Sequence, residues 1–371
     1  MIGKEKKLLT RTSSTADTVE ARMQGERPPP RMVLGEHGVP NTFEFMGYVR
    51  NEAAKNAPPL EKFKKTLKIK VIEDKDNVLE FDMIGCSATL VNAFRRILLS
   101  EVPSMAIEKI YIINNTSVIQ DEVLAHRLGL IPLRADPRLF EYTSSHARKD
   151  DEVSDEDTLR YELKVICTKN PQKSQESYLP EETYKNSNVY SRDIKWVPIG
   201  RQAEIFPNGA EQLRVLEDDI LICKMRPGHE IHAYMHAVKG ISKDHAKFSP
   251  VSIATYRLLP HIELLKPVTG ENADLLKRCF SPGVIEIMEE ETSSGEREAR
   301  VKSARYDYCS RNVFRYPELK DCVKLTRIPD HFIFTVETLG ALPSTVLFKE
   351  AVKILKTKCM TFVDELQSLG K

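Results

Sequence analysis

No CxxC pair occurs in this 371-residue sequence. Its seven cysteines stand at 86, 167, 223, 279, 309, 322 and 359, and no two are closer than thirteen residues. That spacing argues against a zinc ribbon and against a dithiol redox centre. Scattered and odd in number, they read as reduced thiols of a cytosolic or nuclear compartment. An excess of charge is missing too. Lys and Arg total 55 against 54 Asp and Glu, a formal net charge of +1. A chain whose main task was to hold nucleic acid would carry a positive excess. No run of about 18 apolar residues exists, so no transmembrane helix is expected. Met1 to Leu9 is charged and lacks the apolar core of a secretory leader. P-loop spacing, a nucleophile elbow and HExxH are all absent.

What is present suits an ordinary folded chain. Apolar residues make up 41% of it, and its length fits two medium domains or one domain with a large insertion. Residues 1–30 are polar and end in Pro28-Pro29-Pro30, which reads as a tail. Residues 31–62 carry short apolar clusters, Val33-Leu34 and Phe43 to Tyr48, and read as an arm. Phe63, Lys65, Leu67, Ile69 and Val71 share one parity, which predicts a half-buried strand with lysines mostly on its wet face. Leu79, Phe81 and Met83 predict its partner, with a hairpin through Asp74 to Asn77. Ser87 suits a helix cap, and Leu90, Phe94, Ile97 and Leu98 then fall on one helical face. Ile107 to Ile113 returns as a strand.

Ser117 to Gln120 reads as a capping box opening a helix with Ile119, Val123, Leu124 and Leu128 as its stripe. Residues 141–160 read as a solvated acidic loop, with six acids between Asp150 and Asp157. Alternation predicts strands through Tyr161, Leu163, Val165 and Cys167, and through Ile231, Ala233, Met235 and Ala237. Val251 to Tyr256 is another, and 169–188 and 288–303 read as loops. Val323 and Leu325, then Phe332, Phe334 and Val336, predict two strands joined through Pro329-Asp330. A long helix starts at Ser344 or Thr345. Leu347, Ala351, Leu355, Cys359, Phe362 and Leu366 line one side, and Val352, Ile354 and Val363 widen it. About 24 residues span roughly 36 Å. So broad a stripe packs on its own domain or, to avoid a large exposed patch, is shared with a partner chain.

Candidate chemistry is sparse. His229, His232 and His236 suggest a metal, but on a strand His232 and His236 stand about 13 Å apart, too far for one tetrahedral ion. His245 neighbours Asp244 in a loop without an evident nucleophile. Cys86 and Cys309 show no activating neighbours in sequence. Lys62 to Lys70 offers a basic run for phosphate contact. Asn92, Arg95 and Arg96 flank the apolar face of their helix. They suit phosphate, or the carboxylates and carbonyls of a neighbouring chain, and a near-zero net charge favours the latter. Arg127 is read the same way, with an intramolecular salt bridge as the simpler alternative.

Two long segments carry a resemblance. One is Asn92-Ala93-Phe94-Arg95-Arg96-Ile97-Leu98-Leu99-Ser100-Glu101-Val102-Pro103, continuing to Met105-Ala106-Ile107-Glu108. The other is Gln120-Asp121-Glu122-Val123-Leu124-Ala125-His126-Arg127-Leu128-Gly129-Leu130-Ile131-Pro132-Leu133. They resemble the two signatures of the RNA polymerase alpha-type subunits. Arg31 to Val39, and Val238-Lys239-Gly240 running on to Lys243 through Pro250, are similar to the branch shared by eukaryotic polymerases I and III. The likeness spans about residues 31–369.

The resemblance implies an α+β fold. Its discontinuous dimerisation domain, a mixed sheet backed by helices, would take 63–111 and 227–369, after a tail at 1–30 and an arm at 31–62. An α/β insertion domain would occupy 112–226. The C-terminal helix, 344–368, would pack on a small alpha-like subunit through Leu347, Ala351, Leu355, Phe362 and Leu366. Asn92, Phe94, Arg95, Arg96 and Arg127 would dock the second-largest polymerase subunit. The chain would be a noncatalytic scaffold without metal or cofactor of its own, Mg2+ belonging to the catalytic subunits. It would assemble with the largest subunits too, make little or no direct DNA contact, touch no membrane and work in the nucleus. The related polymerase II subunit carries a zinc cluster in its insertion, where this chain has only Cys167 and Cys223. Some archaeal relatives hold an iron–sulfur module, whose close ligand spacing Cys279 and Cys309 lack. Three alternatives remain: a zinc-lacking polymerase II subunit, a His-dependent metal or acid–base enzyme, and a nucleic-acid binder using residues 62–70.

Overall fold

The computed structural model describes residues 31–43, 60–143, 153–171, 179–288 and 297–369. The expected tail, most of the arm and the acids at 150–152 lie outside these residues. The described chain forms two compact units. One takes residues up to 70, then 82–88 and 257–333; the other takes 71–81, 89–256 and the segment from 334. The fold is α+β, as the alternating and helical periodicities require.

The larger unit is built on a four-stranded sheet. Its strands are β4 (Pro103–Asn115), β5 (Thr158–Ile166), β7 (Ile194–Val197) and β9 (Glu230–Ile241), in the order β4-β9-β5-β7. All three pairings are antiparallel, and Met235 stands opposite Ile110 on one side and Tyr161 on the other. Period-two patterning sets the register. Ile231, Ala233, Met235 and Ala237 are buried on one face, as are Leu159, Tyr161, Leu163 and Val165. Helix α3 (Asp121–Gly129) covers that face with Leu124 and Leu128. Each such side chain contributes about 1.5–3 kcal/mol by leaving water. A further small ladder pairs β6 (Asn188–Tyr190) with β8 (Leu221–Lys224).

Helix α2 (Ala88–Ser100) buries Val91, Phe94, Ile97 and Leu98, so Val91 takes the place expected for half-buried Leu90. The C-terminal helix α5 (Ser344–Leu369) supplies Phe348, whose ring meets Phe94 at 5.3 Å and Phe81 at 4.8 Å. Phe334 stacks on Phe81 at 5.2 Å. Such aromatic pairs are worth about 0.5–1.5 kcal/mol beyond area burial.

In the smaller unit, β1 (Met32–Leu34) pairs antiparallel with β13 (Val323–Thr338), Val33 opposite Thr326. Helix α4 (Gly270–Cys279) packs Ala273, Leu276 and Cys279 into a core shared with Leu34, Leu325 and the hairpin of β11 (Ile285–Met288) and β12 (Glu298–Val301). Asp82 is buried and neutralised by Arg305 at 2.8 Å, with His331 Nε2 3.1 Å from its other carboxylate oxygen. Burying that carboxylate without them would be strongly destabilising. Gly85 has φ +75°, and a Cβ there would lie 2.3 Å from the Thr66 carbonyl oxygen, so only glycine fits. Three more strands, β2 (Lys68–Lys75), β3 (Val78–Ile84) and β10 (Val251–Leu264), are each divided between the two units. Strand order is β1-β13-β3-β2, with β10 also on β13.

Several local expectations are corrected. Residues 60–66 form helix α1, not the start of a strand, with Glu61 in its first turn and Lys64 and Lys65 in its last, the signs a helix dipole favours. Strand β2 begins only at Lys68 and is exposed on both faces, not half-buried. Ser117 makes no capping box: its hydroxyl accepts from the Ile119 N–H and donates to Asn115, and the helix begins at Asp121. The acidic segment turns inward at its end, where Asp157 is buried and Thr158 opens β5. Within 169–188, read as loop, Lys169, Tyr184 and Lys185 join Thr168 in a short ladder. Pro329-Asp330 is no turn but part of one continuous strand, β13. Ser344 donates its hydroxyl to the Asn77 carbonyl at 2.7 Å rather than capping α5.

Candidate functional site

Two polar side chains of α2 pair with each other. Arg95 Nε donates to the Asn92 side-chain oxygen at 3.0 Å, one turn away on the same face. Arg96 is exposed, whereas Phe94 is buried against Phe348. Arg127 has no salt bridge among the described residues and forks onto strand β8, donating to the carbonyls of Ile222 at 3.1 Å and Leu221 at 2.7 Å. It thereby ties α3 to that strand. Of this group, Arg96 stands out as solvent-facing.

The α5 helix divides along its length. Ser344, Leu347 and Ala351 are buried in the chain's own fold, and Leu355 is half-buried. Every residue from Lys356 to Leu369 is exposed. Phe362 is 64% and Leu366 68% accessible, with Met360 and Val363 beside them. Lys358 reaches Glu101 at 2.8 Å and ties the middle of α5 to the end of α2. That partly exposed pair is worth about 0.2–1 kcal/mol. It holds the helix but leaves its apolar end uncovered.

The Lys243–Pro250 segment is a clamped turn. The Lys243 N–H donates to the Ser100 carbonyl at 2.9 Å, and Ser104 donates to the Phe248 carbonyl at 2.8 Å. Lys247 donates to the Ile107 carbonyl at 2.9 Å and pairs with Glu108, blunting edge strand β4. His245 accepts from the Lys247 N–H through Nδ1. An open depression of about 250 Å³ lies there, lined in part by His126, Gly129, His245 and Lys247.

The enzyme candidates scatter. His232 Nε2 lies 3.0 Å from Glu162, His236 packs on the Tyr111 ring at 5.0 Å, and His229 Nδ1 accepts from the Arg226 N–H. Among the described residues no three His, Cys, Asp or Glu side chains are grouped to hold a metal ion. Burial, with Asp330 nearby, pushes the Cys86 thiol up to about 11. Burial also raises Cys309, and a raised thiol is a poor nucleophile. Lys64, Lys65, Lys68 and Lys70 are exposed, divided between α1 and β2.

The residues that sequence periodicity passed over lie on the outer face of the four-stranded sheet. Tyr111, Arg160, Glu162, Val197, Tyr234 and His236 line an open depression of about 370 Å³. The parity that filled the core also assigns these residues to one surface, which was the available signal.

The sequence profile of the RNA polymerase Rpb3/Rpb11 dimerisation domain matches residues 80–359. The chain belongs to this family. It is 52% identical to the DNA-directed RNA polymerases I and III subunit RPAC1 of Homo sapiens, over 91% of this chain and 96% of that one. Against the protein of that name from Saccharomyces cerevisiae the identity is 46%, over 85% and 91%. Against the RNA polymerase II subunit rpb3 of Dictyostelium discoideum it is 30%, over 78% and 91%. Family membership covers α2, α3, the four-stranded sheet and all of α5 up to Cys359.

Proposed function

We propose that this chain is a noncatalytic assembly subunit of RNA polymerases I and III, serving synthesis of ribosomal, 5S and transfer RNA. It pairs with a small alpha-like subunit through α5 and docks the second-largest subunit through α2. The heterodimer then nucleates assembly with the largest subunit. Assembly begins in the cytoplasm, and the finished enzymes act in the nucleolus and nucleoplasm. Nucleotide transfer, with its Mg2+, belongs to the larger subunits.

One observation carries the reading. The distal half of α5 presents Met360, Phe362, Val363 and Leu366 to solvent, in a chain of a dimerisation-domain family. An apolar helix face of that extent marks an interaction surface. Leu347 and Ala351 anchor the base of the helix within the chain, so the partner contact falls on Leu355, Phe362 and Leu366. On α2, Arg96 is the cation available for a carboxylate of the second-largest subunit, with Asn92 and Arg95 holding each other in place.

Co-expression of the full-length chain with the small alpha-like subunit tests this. The wild-type pair purifies as a stoichiometric heterodimer, and the Leu355→Asp, Phe362→Asp double variant elutes without the partner. A heterodimer retained by that variant overturns the assignment. Arg96→Glu is expected to weaken capture of the second-largest subunit while leaving the heterodimer whole.

A further inference from the structure

The sheet β4-β9-β5-β7 has a second face that the core does not use. Cross-strand register places its residues in ranks. Tyr111, Tyr234, Glu162 and Lys195 stand side by side in one rank. Lys109, His236, Arg160 and Val197 form the next, and His232 stands opposite Lys164 beyond them. Successive ranks are about 7 Å apart along the strands.

This face is cationic and aromatic at once. Lys109, Arg160, Lys164 and Lys195 outnumber the carboxylates of this face, Glu162 and, one rank beyond His232, Glu230. Glu162 is already engaged by His232 at 3.0 Å and by the Tyr234 hydroxyl, whose pKa that bond raises. Arg160 is left over. Its Nε is buried and has no hydrogen-bond partner, although the side chain lines the depression between Tyr111, Tyr234 and His236. A guanidinium is a planar fork matched to a carboxylate, and the Nε of this one has no partner.

We infer that this outer face docks an extended, acidic segment of a partner protein, one carboxylate of which forks onto Arg160 in the depression while its neighbours lie over Tyr111 and Tyr234. Protein fits better than single-stranded RNA because of the ring geometry. Bases need ring faces free for stacking, but Tyr111 is tilted 60° against His236, and Tyr234 57° against His232. Tyrosine and arginine are among the residues that most often anchor a protein interface.

Fluorescence anisotropy on the full-length chain tests the inference with three labelled probes: an Asp-Glu-rich peptide, its Asn-Gln counterpart and an oligouridine. The acidic peptide is expected to bind saturably and the Asn-Gln peptide about tenfold more weakly or worse. Arg160→Gln should cost the acidic peptide about tenfold, Arg160→Lys less, and Arg214→Gln, at a residue paired with Asp218 off this face, nothing. Lys164→Gln gives a second reading should the Arg160 variants fold poorly, and is expected to weaken the same probe. Absent binding, equal binding of the two peptides, indifference to both Arg160→Gln and Lys164→Gln, or tighter binding of oligouridine through the same residues overturns it.

Discussion

Gly240 lies flat against Phe248: a Cβ at position 240 would sit 2.6 Å from the ring. Phe248 is buried, and its backbone is held by Ser104, so the ring has nowhere to go. Gly240→Ala is therefore expected to destabilise the chain by about 1–3 kcal/mol through overpacking. Urea unfolding measures it. Adding Phe248→Leu to Gly240→Ala should recover part of the loss, and a Gly240→Ala variant as stable as wild type would refute the contact.

Leu128 occupies the centre of the core beneath the four-stranded sheet and is fully buried. Leu128→Ala removes that packing and leaves a cavity, with an expected loss of about 2–5 kcal/mol. Val123→Ala, on the half-exposed side of the same helix, should cost well under half as much. Comparable losses at the two positions would mean that α3 is seated differently.

These core positions were legible from alternation alone, because one face is buried from Leu159 to Val165 in β5 and from Ile231 to Ala237 in β9, and a slip of one residue would invert every side chain. The hairpin at Asp76-Asn77 was equally legible. Both residues take positive φ, at 48° and 70°, as a tight turn between β2 and β3 demands. The segment from Phe63 to Val71 misled for a physical reason. Parity of apolar residues discriminates only where one face is buried, and Ile69 and Val71 are exposed. Pro329 misled similarly, since proline reads as a turn although sheet irregularities and edges tolerate it. Of the candidate sites, Phe362 and Leu366 were legible as apolar helix positions, and the structure adds that they are uncovered. For the Arg160 depression, parity marks the shared face but not which residues meet there, because cross-strand register brings together residues more than a hundred positions apart.

Burial, reinforced by the Arg31 charge, lowers the His261 pKa from its ordinary value. Arg31 Nη1 stands 3.0 Å from the ring, so the neutral imidazole is the form the fold accepts. The unfolded chain then binds more protons than the folded one as pH falls. Stability is present in full above the ordinary histidine value of about 6.5 and declines as pH drops below it toward the folded value. Unfolding midpoints taken one unit above and one unit below that value should differ more for wild type than for His261→Gln. Equal differences would show that His261 does not couple the Arg31 strand to pH.

Thiol reactivity separates the two halves of the assembly argument. Cys359 is exposed on α5, between Leu355 and Phe362, whereas Cys86, Cys167, Cys223 and Cys279 are buried. Burial also keeps those four protonated, Cys86 most clearly at about 11, and only the thiolate alkylates. In the free chain, iodoacetamide should label Cys359 first and the buried four only on unfolding, as read by peptide mass spectrometry. Because Cys359 follows the half-buried base of α5 and precedes Phe362, a partner seated on the distal half must cover it. Its labelling rate should then fall at least about tenfold in the heterodimer, while that of half-buried Cys322, in the other unit, stays unchanged. An unaltered Cys359 rate in a stoichiometric heterodimer would place the small subunit on another surface, and the exposed apolar end of α5 would need a different occupant.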